Sequence, residues 1–244
     1  MFKSGIKKLL RSFGFELRRY QADSSDDARM RSMLLGHGVN LIFDIGANTG
    51  QYGQHLREIG YVGRIVSFEP LPQVWEQLKV TSDKDPLWNI APRAAIGDRD
   101  GEAEINISAN SVSSSLLTML TAHVQASPSS AYVGCVETKL CRLDSIGQSY
   151  IREDSALFIK IDTQGFESRV LDGAAELLQR ATGVQLELSF VPLYEQQSLY
   201  DDLIQRLRKL DFELWALTPG FTDLHSGRLL QADATFFRKT RTNK

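Results

Sequence analysis

Residues 41–51 read LIFDIGANTGQ, and the fold class follows from how that stretch divides. Leu41, Ile42, Phe43 and Ile45 make a short apolar run, Gly46 and Gly50 frame a tight turn, and a helical pattern begins at Gln51. The spacing predicts a buried strand, a glycine turn and a helix start. Glycine suits such a turn because it tolerates positive φ and carries no side chain, so a ligand can approach the backbone amides at the helix N-terminus. Asp44 lies two residues before the first glycine, at the carboxyl edge of the strand, where open α/β sheets bind their ligands. Glu69 ends a second apolar run, 64–68, nineteen residues past Gly50. An acid at that distance is placed to accept hydrogen bonds from ribose hydroxyls.

The totals narrow the class. A chain of 244 residues, 42% hydrophobic and 24% charged, is long enough to bury a core and ordinary for a globular protein. Twenty-eight basic against thirty acidic residues give a net charge of −2, which argues against a general nucleic-acid binder. The charge is uneven, because residues 1–20 hold six Lys or Arg and one Glu, leaving the remainder at −7. Cys135 and Cys141 stand six residues apart in one apparent strand, about 20 Å when extended and beyond disulfide reach, so they read as reduced core thiols of a cytoplasmic protein. No apolar run has the length of a membrane span or the form of a secretion signal.

Along the chain, Phe2, Ile6, Leu9, Leu10, Phe13 and Leu17 recur at helical spacing beside Lys3, Lys7, Lys8 and Arg11, a basic amphipathic helix weakened by Gly5 and Gly14. A cap over the main domain or a partner surface is favoured over a membrane-surface contact. With the polar linker that follows, it forms residues 1–28, and 29–244 form the main domain. Further strands are expected over 89–96, 102–108, 135–143, 157–161, 183–190, 212–217 and 234–238, and helices over 72–80, 166–180 and 200–210. Strands alternating with helices, closed by two strands with no long helix between them, imply a doubly wound α/β sheet with an antiparallel edge. Ala95 and Ile96 are expected to floor an adenine site, and Asp98 is equally a turn residue or an adenine contact. The serine-rich stretch 108–131 reads as a lid. His123 within it is more simply a solvated side chain than a base that swings in.

The turn GANTG lacks the third glycine of the dinucleotide pattern GxGxxG and has an acid just before it. An Asp there repels a pyrophosphate and suits the cationic amino group of a methionine-like moiety, and the arrangement resembles motif I of class I S-adenosylmethionine-dependent methyltransferases. DIGANTGQY, SFEPLP, AAIGDRDG, SVSSSL, LDSI, KIDTQGFE and DATFFRK, in that order over about residues 30–240, narrow the resemblance to the FkbM-type methyltransferases. That resemblance implies a seven-stranded Rossmann-like sheet, S-adenosyl-L-methionine as methyl donor, and a hydroxyl acceptor on a sugar, lipid-linked glycan or secondary metabolite. The turn residues Asp44, Gly46, Ala47, Asn48 and Gly50, with Glu69, Ala95 and Ile96, then form the expected cofactor site. Gln164 stands where many relatives carry an acid.

Methyl transfer from a sulfonium to oxygen needs alignment, and a base where the acceptor is an alcohol. Asp162, at the carboxyl end of its strand, is the first candidate for that base, or else caps the following helix. Glu187 is the second, and Lys160 and Glu167 are weaker. Paired carboxylates also suit Mg²⁺, but no third ligand is apparent and a metal stays open. On this reading Asp44→Ala or Gly46→Val removes donor binding and leaves the fold largely intact. The expected partner is a small-molecule, glycan or lipid-linked acceptor and not nucleic acid. Alternatives are a nicotinamide-dependent oxidoreductase, disfavoured by the missing glycine and the lack of a Tyr-Lys or His dyad, and a non-catalytic donor-binding scaffold that works through the basic helix.

Overall fold

A computed structural model describes residues 8–239. Ten strands are described: β1 Leu41–Ile45, β2 Arg64–Phe68, β3 Trp88–Ile90, β4 Ala95–Ile96, β5 Gly101–Ser108, β6 Tyr132–Cys141, β7 Leu157–Ile161, β8 Gly183–Ser189, β9 Phe212–Pro219 and β10 Gln231–Arg238. Seven form one sheet in the order β3-β2-β1-β7-β8-β10-β9. The first five in that order run parallel, while β10 pairs antiparallel with both β8 and β9, so the edge is closed by an antiparallel pair as expected. The chain leaves β1 for β2 on one side and reaches β7 on the other. Their carboxyl ends therefore flank the switch point where such sheets take ligands.

Both faces of the sheet are covered. One carries Phe43, Ile45, Ile159, Ile161, Val184 and Leu186 beneath the helices Glu167–Asp172, Ala175–Arg180 and Tyr200–Lys209. The other changes character along the strands. Near their amino ends Ile65, Ile42, Phe158, Gly183 and Phe237 stand in register and pack with Met33, Leu34 and Leu56. One rank nearer the carboxyl ends, Ser67, Asp44, Lys160, Gln185 and Thr235 stand in register across five strands, none more than 6% exposed. Burying a row of polar side chains is unfavourable unless they meet partners, so this rank marks the half of the sheet that is built for something other than packing.

Several expected elements differ. The expected strand 89–96 is two pieces, and β4 belongs to a separate three-stranded sheet, β4-β6-β5. The expected helix 166–180 breaks at Gly173, where a Cβ would stand 1.8 Å from the carbonyl oxygen of Gly97. Close approach of two backbones, invisible in helical periodicity, decides that break. Cys135 is exposed and Cys141 half-buried, so both thiols are free but neither is a core residue. In the N-terminal stretch, Phe2 and Ile6 lie outside the described residues, and helical conformation stops at Ser12, before Gly14 at φ +81°. Leu9, Phe13, Phe15, Leu17 and Tyr20 are 52–71% exposed, which corrects the expectation of a cap packed on the main domain. Among the described residues no helix is long and apolar enough to cross a membrane.

Candidate active site

The carboxyl ends of β1, β2 and β7 border a cavity of about 450 Å³, within the size range of cofactor pockets. Of the expected site residues Gly46, Ala47, Asn48, Glu69, Ala95, Ile96 and Asp162 line it, whereas Asp44, Gly50 and Glu187 do not. Phe68, Leu71, Ala95 and Ile96 give one end an apolar lining, while Lys160, Asp162, Gln185 and Asp233 make the other end polar.

The turn after β1 has left-handed backbone at Gly46 (φ +76°), Asn48 (φ +47°) and Gly50 (φ +95°). Its amides are already taken. Gly46 and Ala47 N–H both donate to the Phe68 carbonyl at 3.0 and 3.1 Å, Asn48 N–H to Glu69 Oε2 at 2.8 Å, Thr49 N–H to Asn48 Oδ1 at 2.9 Å, and Gly50 N–H to the Ala47 carbonyl at 2.9 Å. The expectation that a ligand docks on free amides is therefore corrected: the turn folds over the end of β2 and satisfies itself there. A pyrophosphate would find no donors among the amides of residues 46–50. The Gly50 backbone is the left-handed start of the helix Gln51–Glu58 and packs near Leu78, Thr81 and Trp88, away from the cavity.

Glu69, only 4% exposed, accepts from Asn48 N–H through Oε2 and from Leu71 N–H through Oε1 at 2.8 Å. Burial pushes its carboxyl up to about 7, against the pull of those two amides. Each carboxylate oxygen has a further lone pair, so the group still has acceptor capacity for a ligand's hydroxyls. Asp44 is fully buried, with Lys160 Nζ 3.2 Å from Oδ1 and Ser67 Oγ donating to Oδ2 at 3.4 Å. Burial raises its pKa and Lys160 opposes the rise. Contrary to expectation, it stands behind the cavity wall with a cation of its own. Its side chain points across the sheet face and not off the strand end.

Asp162 Oδ1 accepts from Gln164 Nε2 at 2.7 Å and Oδ2 lies 3.4 Å from Lys160 Nζ. It does not cap the next helix. Glu167, 1% exposed and raised to about 7 by burial, holds that turn through Oε1, which accepts from Thr163 N–H at 3.0 Å and Gly165 N–H at 3.1 Å. Gln164, at φ +55°, also donates to Glu187 Oε2 at 2.9 Å, so its amide bridges two carboxylates where an acid would have repelled both. Glu187 takes a second amide from Gln231 Nε2 at 2.6 Å, and burial, with Asp162, Glu167 and Asp233 nearby, raises its pKa well above the usual range.

Sequence reasoning passed over Asp233, Gln185 and Tyr52. Asp233 lines the cavity and burial pushes it up to about 6, and Tyr52 Oη donates to Gln185 Oε1 at 2.8 Å. The signal was there in the alternation of polar residues along β8 (Gln185, Glu187, Ser189) and β10 (Gln231, Asp233, Thr235), which puts both sets on one face.

The stretch 108–131 does reach the cavity. Ser111, Val112, Ser114, Ser115 and Leu116 line it, Asn48 Nδ2 donates to Ser111 Oγ at 3.3 Å, and Ser115 Oγ donates to the Gln164 carbonyl at 2.7 Å. His123 does not: it is 3% exposed against Tyr194 and Phe221, and burial lowers its pKa to about 4, so it is neither solvated nor poised as a base. Asp98 pairs with Arg169 at 2.9 Å and Arg99 at 3.3 Å beside a different cavity, which favours its turn reading over the adenine contact. Among the described residues no group of three or more His, Cys, Asp or Glu is arranged to hold a metal ion.

The sequence profile of the methyltransferase FkbM domain matches residues 44–214, most of the chain. The chain belongs to the FkbM methyltransferase family. No curated protein matches its sequence significantly. Among solved structures it is similar to TehB from Haemophilus influenzae (11% identity, 88% of this chain and 62% of that chain, TM-score 0.48). It is also similar to a putative S-adenosylmethionine dependent methyltransferase from Listeria monocytogenes (7%, 88% and 98%, 0.47). A third is Sp1610 of Streptococcus pneumoniae, a putative tRNA (m1A22) methyltransferase, in complex with S-adenosyl-L-methionine (10%, 88% and 75%, 0.46). The chain spans less than two thirds of the length of TehB.

Family membership brings S-adenosylmethionine as cofactor, and the residues of this FkbM domain fit it. The apolar end formed by Leu71, Ala95 and Ile96 suits a purine, and Glu69 stands beside it as an acceptor for ribose hydroxyls. The amides of residues 46–50 are occupied, and Asp162 and Asp233 at the far end complement a net positive ligand.

Proposed function

We propose that this FkbM domain methylates a hydroxyl oxygen on a sugar, glycan, lipid or secondary metabolite, with S-adenosylmethionine as donor. The observation that carries the proposal is the presence of Glu69 and Asp162 in one cavity: the ribose acceptor at one end and a carboxylate able to orient a hydroxyl at the other. When bound, the donor supplies a methyl group on a positively charged sulfur that a nucleophile displaces in line. Glu69 fixes the ribose, the Gly46–Asn48 turn leaves room above the tip of β1, and residues 111–116 shield that region from water. Asp162 aligns the acceptor hydroxyl and takes its proton as the oxygen becomes an ether. Gln164 holds Oδ1 of Asp162 in place for this. Glu187 does not line the cavity, and on this reading it acts through Gln164 and not on the acceptor itself.

The acceptor is read as small or glycan-like and not a nucleic acid, because the polar end is lined by carboxylates and amides with Lys160 as its one buried cation. The free thiols support a cytoplasmic location. The exposed apolar and basic residues between Leu9 and Tyr20 support a weak contact with a membrane surface or a partner. The test is transfer of labelled methyl from S-adenosylmethionine into fractionated extract, with mass spectrometry of the labelled product. A methyl ether on a hydroxyl, lost in Asp162→Asn while donor affinity stays, is the expected result. A methylated nitrogen or carbon, or full transfer by Asp162→Asn, contradicts it.

A further inference from the structure

Lys160 is a buried cation in the cavity wall whose polar contacts are all long. It is 6% exposed and belongs to the polar rank across the sheet, between Asp44 on β1 and Gln185 on β8. Its ammonium lies 3.2 Å from Asp44 Oδ1, 3.4 Å from Asp162 Oδ2 and 3.4 Å from the Gly46 carbonyl, with the Tyr52 ring at 5.2 Å. Charge-assisted hydrogen bonds are usually about 2.7–2.9 Å, so none of these is tight. The nearest of them, to Asp44 Oδ1, also lacks hydrogen-bond alignment, and that buried oxygen has no other donor. The cation is held loosely by everything around it and still reaches the cavity.

We propose that Lys160 grips the carboxylate of the methionyl end of S-adenosylmethionine. The inference rests on that donor reading and gives the amino-acid end of the ligand a partner on β7. The charges agree. Asp44, Lys160 and Asp162 together carry −1 when ionised, and the donor carries +1, from a sulfonium, an ammonium and a carboxylate. Asp233, on the same cavity wall as Lys160, offers the ammonium its counter-charge and leaves Asp162 to the acceptor, so a zwitterion meets a complementary pair. The amides of residues 46–50 are already taken, and Lys160 places an ammonium at this end of the wall. Asp44, expected to bind the ligand, thereby becomes a positioning residue that keeps Lys160 in place.

The test is calorimetric titration of the full chain with four probes. S-adenosylmethionine and S-adenosylhomocysteine carry the carboxylate, decarboxylated S-adenosylmethionine lacks it but keeps the amine, and methylthioadenosine lacks the whole amino acid. Lys160→Met should weaken the first two by tenfold or more and leave the last two within about twofold. Wild type alone gives an independent reading: removing the carboxylate should reduce donor affinity by tenfold or more. If wild type binds the donor and its decarboxylated form equally, or Lys160→Met weakens all four probes alike, the inference is overturned. If wild type binds none of the four, the donor reading itself fails, which is a separate outcome.

Discussion

Gly46 and Glu69 show what single residues do here. A Cβ at position 46 would stand 2.0 Å from the Asp162 carbonyl oxygen, and the backbone is left-handed at φ +76°. Gly46→Val should therefore lower folding stability by about 3–5 kcal/mol, combining strained backbone with overpacking. This corrects the expectation that the variant keeps its fold, and a wild-type midpoint in urea would contradict it. Glu69 has a pH signature. Its carboxyl is raised from 4.5 to about 7 by burial, so its neutral form favours the folded state: the contribution is full below about pH 4.5 and is lost as pH rises through 7. Ligand-free protein should lose roughly 1–3 kcal/mol between pH 5 and 8 on this account. Glu69→Gln should flatten the slope in thermal melts without abolishing it, because Glu167 titrates in the same direction. Donor affinity should run the other way, rising through pH 7 as Glu69 ionises to accept ribose hydroxyls, and Glu69→Gln should remove that rise. An unchanged pH slope in the variant, for melting or for binding, excludes Glu69 as its source.

Among the elements, the strand and turn around LIFDIGANTG were legible because apolar runs and glycines report directly on buried strands and tight turns. The Gly173 break was not, because what forces it is the carbonyl of Gly97, seventy-six positions away. Nor could the sequence show that the amides of Gly46 to Gly50 are occupied, since their acceptors belong to β2 and to the turn's own geometry. The apolar residues Leu116, Leu117, Met119 and Leu120 within the serine-rich stretch 108–131 point to a packed loop, and Ser111, Val112, Ser114, Ser115 and Leu116 line the cavity, tied by Ser111 to Asn48 and by Ser115 to Gln164. Val112 in this cover is half exposed, within reach of a protease. If the cover closes over donor, saturating S-adenosylmethionine should slow limited proteolysis at 110–116 by about tenfold or more. Equal cleavage with and without donor would mean the segment plays no part in enclosing it.

For the whole molecule, the alternation of strands and helices was enough to give the doubly wound sheet and its antiparallel closing pair. The three-stranded β4-β6-β5 sheet was hidden by the brevity of β4, two residues long. The candidate site was legible at the glycine turn, at the strand ends that carry Glu69 and Asp162, and at Ala95 and Ile96. The polar rank from Ser67 to Thr235 draws on five strands and appears only once they are in register. Residues 9–20 bury little against this frame, so replacing Phe13, Phe15 and Leu17 together by Ser should move Tm by no more than about 2 °C, and a large fall would reveal packing that their exposure argues against. The most direct measurement of the central claim is a crystal structure of the full chain with S-adenosylhomocysteine. The purine is expected between Leu71 and Ile96, both ribose hydroxyls on Glu69, and the amino-acid end over the tips of β1 and β7. Density for the nucleoside anywhere else, or ribose hydroxyls that do not touch Glu69, would contradict it.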